Sequence, residues 1–198
     1  MASSKLSQTL SAIDELNKAD PNSTLIDGAE QPKEFLYGQY MTACLSKYWP
    51  DADEFLQIAV RAQHIQRWKL KRSEFPEGKQ GYLAWRKEQG IFHAHTTKQL
   101  MLEIGYSEEE AETTACIIRK EKLKRDSNSQ TLEDVACLVF LQYYFDEFAA
   151  KYTEQNNEAK IVRIVQLTWK KMSAQGHEIA LSLTLPEHLG ALVNKALA

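Results

Sequence analysis

The sequence predicts an all-α fold, a single multi-helix domain over residues 1–198. Three observations carry this. Apolar residues recur at three- and four-residue spacing along most of the chain. Ser, Thr or Asp stands ahead of several of these runs with an acidic residue three places on, the signature of a helix start. Alternation at period two is confined to Leu181, Leu183 and Leu185. A lone strand there would have no partner, so the segment reads as short helix or turn.

The elements follow in order. Leu6, Leu10, Ile13 and Leu16 define a first helix, which Asp20-Pro21-Asn22 breaks. Residues 19–31 read as a polar loop containing Gly28. Pro32 opens a second helix carrying Phe35, Leu36, Tyr40, Met41, Cys44, Leu45 and Tyr48, and Pro50 ends it. Asp51 with Glu54 starts a third, which runs through RAQHIQRW at residues 61–68. Its core face is Phe55, Ile58, Ala59, Ala62 and Ile65. The other face carries Gln57, Val60, Arg61, His64, Arg67 and Trp68, with Val60, His64 and Trp68 on one ridge. A plain surface helix would put Lys, Glu and Gln there, not an imidazole and an indole between guanidinium groups.

Residues 70–80 form a loop rich in basic and aromatic side chains, placed to fold over that ridge as a lid. The next helix runs from about residue 81 to residue 104, where Tyr82, Arg86, Gln89, His93 and Leu100 share a face and His95 points elsewhere. Gly105 stops it. Ser107 and Glu110 make a capping box for a helix through Ile117 and Ile118, with Lys120 turned inward at its end. Residues 126–130 read as a loop, and Thr131 as the cap of a helix apolar almost all round from Val135 to Phe148. Asp134 is either the third-position acid of that cap or a carboxylate aimed at a site. Ile161, Ile164, Val165, Thr168, Trp169 and Met172 mark a further helix ended by Gly176, and Pro186 opens the last. The total is about eight helices joined by short loops.

Composition bounds the function. A net charge of −3 argues against a general polyanion surface, so nucleic acid is an unfavoured partner. Basic residues nevertheless concentrate at residues 61–88 and 119–125, which fits a small anionic ligand. Cys44, Cys116 and Cys137 are odd in number and lack metal-finger spacing, as expected of buried thiols in a reducing compartment. The N-terminal stretch has no leader-like apolar run, and no segment approaches a membrane span, so the expectation is a cytoplasmic protein without a membrane partner.

His64, His93 and Asp134 fall on three separate helices and are the candidate ligands of a divalent metal, zinc, manganese or iron. A metal-bound water could then attack a phosphate, with His64, Asp134 and Lys120 as the catalytic candidates. Arg61, Arg67, Trp68, Arg72 and Arg86 are the candidates for holding the substrate. HExxH, paired ExxH motifs and the Gly-rich nucleotide loops are all missing. The alternative is a non-enzymatic helical module that binds an anion, a nucleotide or RNA through the same basic residues. The plainer reading makes His64 and His93 satisfied core histidines.

The strings RAQHIQRW, GYLAWR, FHAH and QTLEDVACLVFLQYYFDEF, with ADPN, LYGQYM and TWKKMS, closely resemble the domain of unknown function 4202, a family found in bacteria, fungi and plants. That resemblance covers most of the chain and implies no established activity. A remoter resemblance is to the HD-domain superfamily of all-α metal-dependent phosphohydrolases. Their ligand order is His, then His-Asp, then a later Asp, an order that His64, His93 and Asp134 follow. Ala94 stands where that family's pair would require Asp. The resemblance implies a metal-dependent hydrolase, or a relative that binds a ligand without cleaving it.

Overall fold

Ser4 caps the first helix, α1 (Lys5–Lys18), its hydroxyl accepting from the Ser7 N–H. The computed structural model describes residues 4–198. Met1, Ala2 and Ser3, the start of the stretch read as free of a leader, lie outside the described residues. Among the described residues there are ten α-helices and one two-stranded hairpin, an all-α fold. No helix among them is long and apolar enough to cross a membrane. Backbone contacts group the chain into two units, Met1–Leu132 and Glu133–Ala198.

In the first unit, α1 buries Thr9, Ile13 and Asn17, one position round from the leucines that marked it. The two polar members of this stripe are satisfied. Thr9 donates to the Lys5 carbonyl at 2.8 Å, and Asn17 serves the site described below. Residues 19–31 are not a polar loop throughout. Strands β1 (Ser23–Ile26) and β2 (Ala29–Pro32) pair antiparallel, Ser23 opposite Pro32 and Ile26 opposite Ala29. Asp27 and Gly28 form the two-residue turn with φ of +49° and +81°, the left-handed pair that this hairpin turn demands.

Helix α2 (Lys33–Tyr48) follows at once. Its N-terminus is served by Asp20, whose carboxylate accepts from the Asn22 N–H at 2.9 Å and the Glu34 N–H at 3.0 Å. Helix α3 (Glu54–Ala62) is capped by Asp53, not by the Asp51 expected. It packs against α1, α2 and the later helix Glu108–Arg119, and so has almost no solvent face. Val60 and Arg61, expected on an outer face, are buried with Leu56, Ile58, Ala59 and Ala62.

Helix α4 (Gly78–Ile104) is the longest. At Gly81 a Cβ would lie 1.8 Å from the Pro76 carbonyl oxygen, so the chain entering α4 can double back only over a residue without a side chain. Gly105, at φ +100°, ends the helix. Helix α5 (Glu108–Arg119) opens with the capping box expected, Ser107 and Glu110 each bonding the other's backbone N–H. Lys98 of α4 bridges Glu108 and Glu112 of α5. Helix α6 (Ser127–Val139) begins ahead of Thr131, because Asp126 accepts from the Ser129 N–H at 2.7 Å and caps it.

The second unit takes α6 from Glu133 onward, a π-helical turn at Phe140–Tyr144, and helices α7 (Phe145–Glu154), α8 (Glu158–Lys171), α9 (Ala174–Ser182) and α10 (Glu187–Leu197). Helix α8 packs on α7 and α10. Leu138, Leu141, Phe145, Ile161, Val165 and Leu189 are buried. Gly176 is not the stop of α8. That helix ends at Lys171, and Gly176 lies in the first turn of α9, where its N–H bonds the capping hydroxyl of Ser173.

Candidate functional site

The residues after α3 do not continue the helix. Gln63 to Gln66 turn, Gln66 stands in the left-handed region at φ +51°, and a single 3-10 turn, Arg67–Lys69, follows. The expected ridge of Val60, His64 and Trp68 is therefore not formed. Trp68 is half-buried in the 3-10 turn. The physical reason is that side chains elsewhere take the backbone groups a helix would have paired. Asn17 accepts from the Gln66 N–H at 2.9 Å. His93 Nδ1 bonds the Ile65 carbonyl at 2.8 Å. Gln89 Nε2 donates to the carbonyls of Arg67 and Leu70 at 3.0 and 2.9 Å, and the Trp85 indole N–H also reaches Leu70 at 3.0 Å. These backbone groups are thus paired without a helical ladder.

Trp85, Gln89 and His93 are spaced four apart on α4 and make one ridge facing this turn. Gln89 and His93 were legible in the sequence. Trp85 was not, although it provides the surface on which Arg67 lies, its guanidinium 4.7 Å from the indole centroid. Two further residues escaped the sequence, both on α2. Glu34 accepts from His64 Nδ1 at 3.1 Å and sits 3.9 Å from Arg67 Nε. Tyr37 stacks on the His64 ring, centroids 3.9 Å apart at 11°. They share a helix face, three apart, beside the Pro32 start that the sequence did mark.

The hydrogen bonds fix the proton positions. Ile65 offers a carbonyl, so His93 Nδ1 carries the proton and Nε2 keeps its lone pair. Arg67 Nη1 lies 3.1 Å from His64 Nε2 and can only donate, so His64 also carries its proton on Nδ1, toward Glu34. The two rings are 6.1 Å apart between centroids. Burial first, then the charges of Arg67, Arg86 and Lys120, holds the His64 pKa well below the usual imidazole range. Burial, His64 and Arg67 lower that of His93, against a smaller opposing effect of its bond to Ile65. Burial pushes the Glu34 carboxyl up to about 7 against the pull of Arg67 and Lys33. His93 is 3% exposed and Gln89 3% exposed. Their atoms Nε2 and Oε1 are buried without a hydrogen-bond partner among the described residues.

The structure thus brings His64, His93 and Arg67 together, and the charges of Arg86 and Lys120 act on His64. Lys120 stands at the C-cap of α5, where it takes φ +55°. The other predicted residues lie in different settings. Arg61 is buried in a two-pronged ion pair with Asp14, 2.7 and 2.8 Å, and lies against Gly38, which has no side chain to obstruct it. Arg72 donates to the carbonyls of Phe75 and Pro76, both at 2.9 Å, and so holds the loop before α4 together. Asp134 belongs to the second unit, where its carboxylate accepts from the Ser173 N–H at 2.8 Å and hydroxyl at 2.5 Å. Among the described residues no three His, Cys, Asp or Glu side chains are grouped so as to hold a metal ion.

The arrangement offers cations for an anion, two neutral imidazoles, a carboxyl that titrates near neutrality, and two buried acceptors. A family model described as domain of unknown function (DUF4202) matches residues 7–193. Neither the curated proteins nor the solved structures contain a match to the chain.

Proposed function

We propose, for a chain that belongs to the domain of unknown function 4202 family, that the first unit binds a small phosphorylated metabolite beside His64. The observation that carries this reading is Arg67 Nη1 at 3.1 Å from the half-buried His64 ring, an imidazole on which the charges of Arg86 and Lys120 also act. Glu34 is the carboxylate paired with Arg67, and with its pKa near 7 it is only partly ionised at neutral pH. A phosphate dianion complements such a cluster, since guanidinium groups bind phosphate oxygens in a fixed fork geometry. His64 would then gain a proton and become a third kind of donor to the anion.

Calorimetric titration of the full chain with methyl phosphate, in the presence of a chelator, tests this. Saturable binding that weakens as salt rises is expected, and it falls about tenfold in Arg86→Gln or Lys120→Gln, the loss of one charge-assisted hydrogen bond. No binding at low salt, or binding that the chelator abolishes, overturns it.

The second reading is the metal-dependent hydrolase. What favours it is that both imidazoles donate Nδ1–H to an oxygen, Glu34 for His64 and Ile65 for His93, as metal-ligating histidines do. Two Nε2 lone pairs suit zinc, manganese or iron in kind. The remainder of the donor set fits poorly: Arg67 occupies His64 Nε2, Asp134 serves Ser173, and Ala94 offers no ligand. Elemental analysis of protein purified without chelators decides it. Near-stoichiometric metal that is lost in His64→Ala supports the hydrolase, and metal-free wild type counts against it.

A further inference from the structure

We infer that the ligand of this site carries hydroxyl groups as well as a phosphate, and that Gln89 and His93 each accept a hydrogen bond from one of them. The inference rests on the phosphate-binding reading and adds the chemical class of the molecule attached to the phosphate. Both side chains are locked as acceptors. The Gln89 amide donates to two backbone carbonyls, so its orientation is unambiguous and only Oε1 remains. The His93 ring donates Nδ1–H to the Ile65 carbonyl, so only the Nε2 lone pair remains. The two residues stand one turn apart on the same face of α4. Both are almost fully buried, and both remaining acceptors lack a partner among the described residues.

Buried acceptors without partners are uncommon in folded proteins, and two on one ridge point to a donor that arrives from outside. An ammonium group is a poor candidate, because the Arg67 charge already acts on His93. A hydroxyl is neutral, donates once to each such acceptor, and tolerates a neighbouring guanidinium. A phosphate at Arg67, Arg86 and Lys120 with hydroxyls at Gln89 and His93 describes a phosphorylated sugar or nucleoside. Acceptors built to meet a hydroxyl discriminate strongly against a ligand that lacks it, since they are then left unpaired.

The test is a side-by-side titration of the full chain with ribose 5-phosphate and methyl phosphate. The wild type should bind ribose 5-phosphate at least about tenfold more tightly, the worth of a hydrogen bond to a buried group. In His93→Asn the amide nitrogen can keep the bond to Ile65 while the Nε2 acceptor is gone. In that variant the ratio of the two affinities should fall most of the way to one, whatever its affinity for methyl phosphate. Where it fails to fold, the ¹⁵N resonance of His93 Nε2 in the wild type reads the same contact. It should move with ribose 5-phosphate and stay in place with methyl phosphate. Equal affinity of the wild type for both ligands, or an Nε2 resonance indifferent to ribose 5-phosphate, overturns the hydroxyl assignment and leaves phosphate binding standing. Binding of neither ligand overturns both.

Discussion

Glu34 has an imidazole and a guanidinium beside it, yet burial dominates and raises its carboxyl to about 7. A carboxyl whose folded pKa lies above its unfolded value of 4.5 binds more protons in the folded state between those two values. Its contribution to stability is therefore present below pH 4.5 and is lost as pH rises through 7, on the order of 3 kcal/mol at most. His64 and His93, whose folded pKa values lie below 6.5, act in the opposite sense and lose their contribution as pH falls through that value. Glu34→Gln keeps an acceptor for His64 and removes one of the two opposing effects. Urea unfolding across pH 4–8 should show this variant gaining on the wild type as pH rises from 4.5 to 7 and holding the gain above it. A constant difference would mean that Glu34 has the same pKa in the folded and unfolded chain. At this scale the sequence showed the polar members of the site in part. His64, His93, Arg67, Arg86 and Lys120 could be picked out as candidates because histidines and clustered basic residues beside aromatic ones are conspicuous in a chain of net charge −3. Glu34 and Tyr37 were not, because a glutamate in the first turn of a helix and a tyrosine in an apolar stripe each have a sufficient local explanation.

Local explanation also failed at the scale of elements, and in two characteristic places. The helix expected through residues 61–68 has adequate helix-forming residues throughout, but its last turns are outcompeted by Asn17, Gln89 and His93 from elsewhere. Those bonds lie 49, 22 and 28 residues apart along the chain, beyond what a local pattern can register. The hairpin was hidden for the opposite reason. Its Asp-Gly turn is a strong signal, but its strands are short and their burial alternates only weakly. Two variants check the supports of the site. Gly81→Ala forces a methyl group against the Pro76 carbonyl and should destabilise the chain by about 2 kcal/mol, because backbone rather than a flexible side chain must yield. Arg61→Met leaves Asp14 without its guanidinium partner and should cost about 3 kcal/mol in urea unfolding. Because Arg61 faces Asp14, its loss should leave methyl phosphate affinity unchanged in the folded protein. A selective loss of affinity with unchanged stability would return Arg61 to the binding residues.

Across the whole molecule, periodicity and caps sufficed for the all-α class, since helix stripes are written locally in every segment. What they did not convey was the grouping of contacts into two units, with the division at Leu132 and Glu133 inside α6. A continuous helix carries no sequence punctuation at such a point. The three thiols give one check on the packing of the full chain. Cys44 and Cys137 are buried and Cys116 is half-buried beside Arg119, whose Nη2 lies 3.3 Å from its sulfur. Burial and Glu121 raise the Cys116 pKa, so its labelling should be slow. Native protein treated with a thiol reagent should modify Cys116 alone, and denatured protein all three; rapid labelling of three thiols in the native state would contradict the packing. The stacking of Arg67 on Trp85 has an optical consequence. A cation lying on an indole perturbs its excited state, and the Trp85 N–H is tied to the Leu70 carbonyl at the end of the 3-10 turn that carries Arg67. Any anion that draws the guanidinium off the ring changes the emission of that indole. With Trp49, Trp68 and Trp169 replaced by Phe, the chain becomes its own fluorescent indicator, able to report occupancy of the site without a label and before the natural ligand is identified.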